Sequence, residues 1–223
     1  MGMLFCLAVL NSCGPTEAPP FYYFPPPDTD EGYVYQYESL TDGFPDEYWH
    51  ISKGAPNQLK ICVFDELRGW GQCSFEYMTS TGMLQDSLWI FTDQNQPQFV
   101  EILHGNLYPS KPLDSKQVYL QYLRWYSSPD SLTFTEIIRN RRYQPLESSK
   151  KQVVFQVLEV IEDFQEGYLQ MEMKGKEVFE PGLGLVYFEK EITEEVSRKY
   201  TFSGRISVED FRRKTNAPLL TNR

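Results

Sequence analysis

Apolar and polar residues alternate along most of this chain, and the alternation opens with Tyr33, Tyr35 and Tyr37 set between Val34, Gln36 and Glu38. A period of two belongs to a half-buried β-strand, whose successive side chains point to opposite faces. Comparable runs follow at 48–51, 58–64, 72–77, 83–91, 98–103, 117–126, 132–138, 152–161, 168–173, 183–189 and 199–208. Between them stand Asp42-Gly43, Gly54, Gly69-Trp-Gly71, Gly82, Ser128-Pro-Asp130, Glu166-Gly167 and Pro181-Gly182, all turn chemistry. Short strands at such spacing predict an all-β fold, a long antiparallel meander of roughly a dozen strands. Val153-Val-Phe-Gln-Val-Leu-Glu-Val-Ile161 is apolar on both faces. A strongly curved sheet, a half-barrel or clam, covers such a strand twice, and a two-sheet sandwich is the alternative. Helical signals are confined to Thr193–Lys199 and to Ser207–Lys214, where Ser207 is a candidate N-cap.

Composition reinforces strands. The 223 residues include 15 Tyr, 15 Phe and 4 Trp, side chains that suit a pleated, half-buried surface. The net charge of −10 comes without a dense Lys/Arg block, so no nucleic-acid partner is expected. Two basic clusters, Arg139-Arg141-Arg142-Lys150-Lys151 and Arg212-Arg213-Lys214, read as solvated strand ends and turns. The sharper alternative is contact with anionic headgroups or polysaccharide.

The N-terminus changes the picture from a plain β-domain to an anchored one. Leu4-Phe-Cys-Leu-Ala-Val-Leu10 is a short apolar run that ends in Asn11-Ser-Cys-Gly14. That pattern reads as a secretory signal peptide over residues 1–12. Cys13, with Ser before it and Leu three residues earlier, resembles the lipobox of bacterial lipoproteins. The resemblance implies acylation of Cys13, hence attachment to a membrane through N-terminal acyl groups. No Lys or Arg precedes Lys53, so the usual basic n-region is missing; an initiation site upstream of Met1 would supply it. The competing reading is a buried N-terminal strand with Cys13 an ordinary thiol. Residues 13–32 carry Pro15, Pro19, Pro20, Pro25, Pro26 and Pro27 and are expected to form an extended tether. Phe21-Tyr-Tyr-Phe24 interrupts it, a candidate for docking on the domain or lying at a bilayer interface. Residues 33–208 make the β-domain and 209–223 a C-terminal tail. No apolar stretch approaches the roughly 20 residues of a transmembrane helix.

Cys62 and Cys73 fall in two strand-like runs separated by a glycine-containing turn. A hairpin turning near Leu67 and Arg68 sets them directly opposite on one face, within reach of a disulfide. No C-x-x-C spacing and no nearby His supports a redox or catalytic thiol.

Cys13, the polar tether, the opening strand Tyr33-Val-Tyr-Gln-Tyr37 and the closing Phe179-Glu-Pro-Gly-Leu-Gly-Leu-Val-Tyr-Phe-Glu189 together resemble uncharacterised lipoproteins of Bacteroidota-type bacteria. The resemblance implies an antiparallel meander curved like the LolA/LolB lipoprotein-localisation proteins, carried at the outer membrane. It implies no activity.

Candidate chemistry is sparse. The two histidines, His50 and His104, stand apart, and no H-E-x-x-H, G-x-S-x-G, S-x-x-K or phosphate-cradling loop occurs. No metal site and no cofactor is expected. Asp46/Glu47, Asp65/Glu66 and Glu162/Asp163 are conceivable acid–base pairs, with solvated turn acids the plainer reading. A weak Ca²⁺ site over Asp28–Glu31 is a similar case. Aromatic residues remain: Tyr33, Tyr35, Tyr37, Trp49, Trp89 and Trp125, with Tyr48, Trp70 and Tyr126, either line a concave binding surface or fill a core. Three readings follow: a non-enzymatic binding or scaffold lipoprotein with a lipid, glycan or envelope-protein partner; a periplasmic carrier for an apolar ligand; and a hydrolase with an unrecognised site.

Overall fold

The computed structural model describes residues 23–217 apart from 93, 111–114, 127–131, 146–151 and 166, so Cys13 and the apolar run before it lie outside the described residues. Twelve strands follow in chain order: β1 (Tyr33–Ser39), β2 (Glu47–Lys53), β3 (Gln58–Asp65), β4 (Gly69–Met78), β5 (Gly82–Phe91) and β6 (Pro97–Pro109). Then come β7 (Val118–Tyr126), β8 (Phe134–Gln144), β9 (Val153–Asp163), β10 (Leu169–Glu180), β11 (Gly184–Glu191) and β12 (Ser197–Ile206). Each pairs antiparallel with its neighbours in sequence, and β12 pairs back onto β1, so the meander closes into a barrel. The expected curvature thus runs past a half-barrel to a full ring, which leaves no unpaired sheet edge.

Odd-numbered positions of β1 turn inward, and the expected run Tyr33, Tyr35, Tyr37 becomes part of an interior aromatic cluster with Tyr108, Phe155 and Phe179. The cluster fills one end of the barrel, hereafter the closed end. Each of the three β1 tyrosines places its hydroxyl on a backbone carbonyl: Pro25 for Tyr33, Leu183 for Tyr35 and Leu185 for Tyr37. A buried phenol needs such a partner, and these three supply their own.

Two segments beyond the strands seal the barrel. Tyr23 and Phe24, from the expected tether, are 4% and 1% exposed inside the closed end. Phe24 lies against Gly184, where an added Cβ would meet the Phe24 ring at 2.9 Å and where φ is +87°. Glycine alone among the residues accepts both that contact and that backbone without strain. On the outer wall, α1 (Val208–Thr215) lays Val208 and Phe211 over Val34, Tyr48, Cys62, Phe64, Trp70 and Cys73. Its start is fixed by Ser207, whose hydroxyl accepts from the Asp210 backbone N–H at 3.0 Å. The Cys62–Cys73 disulfide forms in the register expected of the hairpin, and it lies beneath this helix.

Three expectations are corrected. Thr193–Lys199 forms the turn into β12 and its first residues; the hairpin hydrogen bond from Ile192 N–H to Val196 O takes the backbone groups a helical turn would use. Arg139 and Arg141 are not at solvated ends but in mid-β8, facing inward, and Arg141 is 4% exposed. Glu47 and Asp65, expected in solvent at turns, border the barrel interior.

Candidate functional site

A cavity of about 410 Å³ occupies the barrel lumen from its middle to the end opposite Phe24. That end is the mouth, where β1, β3, β5, β7, β9 and β11 end and β2, β4, β6, β8, β10 and β12 begin. The strands alternate, so every second residue faces the lumen; here many of those residues are charged. A buried charge survives only when paired, and the lumen pairs its own. Arg139 of β8 sits directly across from Glu159 of β9 and donates from Nε to its Oε2 at 2.6 Å. Lys190 of β11 reaches the other carboxylate oxygen, Oε1, at 2.5 Å. Burial works to raise the Glu159 pKa, but the Arg139 and Lys190 charges overcome it and hold the group at about 2.

One layer deeper, Arg141 pairs with Glu177 of β10 at 2.9 Å and lies with its guanidinium over the Tyr108 ring at 4.7 Å. Tyr108 in turn donates to Glu177 at 2.6 Å. Gln121 of β7 accepts at one oxygen from Arg139 at 2.9 Å and from Arg141 at 3.3 Å, which joins the two ion-pair groups, and it donates to Gln85 of β5 at 2.6 Å. Glu76 of β4 completes this layer. It accepts from Ser74 at 2.7 Å and from the Tyr23 hydroxyl at 2.6 Å, and burial raises its pKa. The floor of the cavity is therefore Tyr23 and Tyr108, with the aromatic cluster behind them.

The upper wall differs. Trp49 of β2 packs on Phe188 of β11 at 5.4 Å, and Phe188 stacks on Tyr200 of β12 at 4.8 Å, which leaves an aromatic flank inside the mouth. Around it stand Glu47, Asp65, Arg68 and Arg198.

The aromatic residues singled out from sequence scatter. Trp49 borders the cavity. Tyr33, Tyr35 and Tyr37 are packed in the closed end behind it. Trp125 lines a second, smaller recess with Leu88, Val100 and Ile137 toward the mouth. Trp89 turns to the outer face, 37% exposed, against Phe99. Tyr48 and Trp70 lie outside under α1, and Tyr126 packs on Phe134 at the end of β7. His50 and His104 also leave the lumen, binding the carbonyls of Glu31 and Leu120 at 2.8 Å each. Neither histidine borders the cavity. Among the described residues no group of three or more His, Cys, Asp or Glu is placed to hold a metal ion. Cys13 lies outside the described residues.

What sequence reasoning missed is the charged lumen. Arg139 and Arg141 are two apart, hence on one face, and they share that face with Ile137 and Tyr143. That mixture on a single strand face, repeated as Glu177 beside Phe179 in β10, is the available signal.

No protein-family model and no curated protein matches the chain. The chain is similar in structure to a crystal structure from Parabacteroides distasonis described as a "putative lipoprotein". The identity is 14% and the TM-score 0.44, over 82% of this chain and 96% of that one.

Proposed function

We propose that the protein is a non-enzymatic, membrane-anchored envelope lipoprotein that holds a small hydrophilic ligand in the mouth half of its barrel. The observation that carries the binding role is the 410 Å³ lumen, open at one end and walled by side chains with matched charge. Its volume falls in the range of roughly 300–1,000 Å³ typical of ligand pockets. A built ion-pair network costs desolvation that a simple scaffold would avoid by filling the barrel with apolar groups. The same lining disfavours an apolar cargo, since an acyl chain would lie against Arg139, Glu159 and Lys190 without offering them a partner. A carrier role of the LolA/LolB kind is accordingly not taken over from the resemblance. A hydrolytic role finds no support either, because no histidine stands beside a lumen carboxylate.

The anchoring half of the proposal rests on the sequence: the apolar run before Cys13, the small residues around it and the proline-rich stretch after it. Two or more acyl chains, at about 0.8 kcal/mol per buried methylene, hold a soluble domain stably on a bilayer. The outer membrane is the compartment we assign. Native mass spectrometry of protein purified from its own cells tests both halves. It is expected to show a chain beginning at an acylated Cys13, short of two hydrogens for the cystine, together with a polar molecule released on unfolding. An unprocessed chain with a bare Cys13 thiol overturns the anchor, and a barrel that always releases a lipid overturns the hydrophilic ligand.

A further inference from the structure

The mouth of the lumen carries two like-charged pairs set side by side around the ring. On one side Lys190 of β11 is in register with Arg198 of β12; on the other, Glu47 of β2 is in register with Asp65 of β3. Only β1 separates the two pairs. Like charges directly opposite each other in a sheet are destabilising, so an arrangement of two such pairs is not what folding alone would select. Opposite charges here are close enough to influence one another, yet Arg198 forms no ion pair with Glu47 or with any other described residue.

Arg198 is the decisive group. Its Nε is buried without a hydrogen-bond partner, alone in this among the buried side-chain nitrogens and oxygens of the described residues. Its guanidinium is held in place by the Phe44 ring, 4.6 Å away. A buried donor left unsatisfied is costly and uncommon, and a fixed guanidinium edge matches a carboxylate. Lys190 spends its charge on Glu159, so it adds positive potential on this side without closing the gap. Across the mouth, the Glu47 carboxylate accepts from Trp49 Nε1 at 2.9 Å and from the Tyr200 hydroxyl, both neutral donors that leave its charge without a cation in contact. Asp65 commits Oδ1 to the backbone of Leu67 and Arg68 and keeps Oδ2. Burial holds the Glu47 carboxyl above its ordinary pKa, and Asp65 adds to that, so a cation beside it would be welcome.

We propose that the ligand of the lumen is a small zwitterion, an amino acid or short peptide, whose carboxylate meets Arg198 while its ammonium meets Glu47 and Asp65. The inference rests on the lumen being a ligand site, and it adds which chemistry that site selects. The Trp49–Phe188–Tyr200 flank covers the apolar backbone between the two charged ends.

The test is calorimetric titration of the purified full chain with triglycine, N-acetyl-triglycine, triglycine amide and maltose. Triglycine is expected to bind, and each end-blocked form at least tenfold more weakly. Arg198→Met should erase the difference between triglycine and its amide while leaving the penalty for N-acetylation. Glu47→Gln should do the reverse. Arg198→Met is also expected to raise the melting temperature of the empty protein, because it removes the unsatisfied donor, so lost binding in that variant cannot be ascribed to unfolding. Equal affinity for free and blocked peptides, or binding of maltose alone, overturns the zwitterion and leaves the hydrophilic lumen standing. No binding by any of the four overturns the zwitterion as well. The lumen reading falls only if protein from its own cells releases no polar molecule either.

Discussion

The hydroxyl of Tyr23 lies 2.6 Å from the Glu76 carboxylate in the middle of the barrel, a bond spanning 53 positions of chain. Through it Tyr23, from the stretch expected as a tether, becomes part of the floor of the lumen. Tyr23 also stacks on Phe179 at 5.7 Å and packs on Tyr108 at 5.1 Å, so its ring is held from both sides.

Tyr23→Phe should keep that packing and remove only the hydrogen bond. A buried carboxylate left one donor short costs about 1–3 kcal/mol. Burial raises the Glu76 pKa, so the folded protein prefers this group protonated; the stability tied to it is present at low pH and is lost as pH rises through the folded-state pKa. The loss caused by Tyr23→Phe is therefore expected to be larger at pH 8 than at pH 4 in urea denaturation. In a Glu76→Gln background the pH dependence of that loss should vanish. An equal loss at both pH values would show that Glu76 does not take its proton balance from Tyr23.

Gly184 tests whether Phe24 seats in the closed end. Gly184→Ala introduces a Cβ 2.9 Å from the Phe24 ring and strains a backbone at φ +87°. A destabilisation of about 1–3 kcal/mol is expected. Gly184→Ala/Phe24→Leu should recover only the ring's share, because the new Cβ also meets the Phe24 Cα at 3.1 Å and N at 3.3 Å and the backbone strain stays. If Gly184→Ala is neutral in chemical denaturation, residue 24 does not press on this turn.

The all-β meander and the cystine were legible because both follow from local rules. The β1 tyrosines alternate with Val34 and Gln36, and the two cysteines are placed by the length of one hairpin. Ring closure was not legible, since the pairing of Tyr35 with Arg205 joins opposite ends of the chain and leaves no local trace. The lumen was hidden for a different reason. In a strand whose outer face meets water and whose inner face is also charged, as at Arg139 and Arg141, period two no longer tells inside from outside. The carboxylates that pair them, Glu159 and Glu177, lie 20 and 36 positions away.

The outer wall offers a separate check on the cystine. Cys62→Ser/Cys73→Ser removes a cross-link of sequence separation 11 from beneath α1. A loop of that size predicts a loss of about 2–4 kcal/mol. Phe211→Ala, which empties the contact with Tyr48, Phe64 and Trp70, should cost about 3–5 kcal/mol on its own. The two sites share one cluster, so their effects should fall short of adding in chemical denaturation. Strict additivity would mean that the helix does not rest on the cystine-bearing strands.

Glu159 supplies the sharpest pH signature in the lumen. Its carboxylate is held at about 2 by Arg139 and Lys190 against the opposing effect of burial. A depressed carboxylate pKa adds stability that is present above the unfolded value, near 4.3, and is lost as pH falls through the folded value. Glu159→Gln leaves the half-buried Arg139 and Lys190 without their counter-charge, and the drop of the carboxylate pKa from near 4.3 to about 2 corresponds to about 3 kcal/mol at pH 7. The deficit should therefore be full at pH 6–7, begin to shrink below pH 5 and be small at pH 2, as read from thermal melts across that range. Arg139→Gln should show a smaller deficit over the same window, because Lys190 still reaches Oε1. A Glu159→Gln deficit that stays constant down to pH 2 would mean the carboxylate is not the charge that Arg139 and Lys190 share, and the paired lumen argued for above would lose its centre.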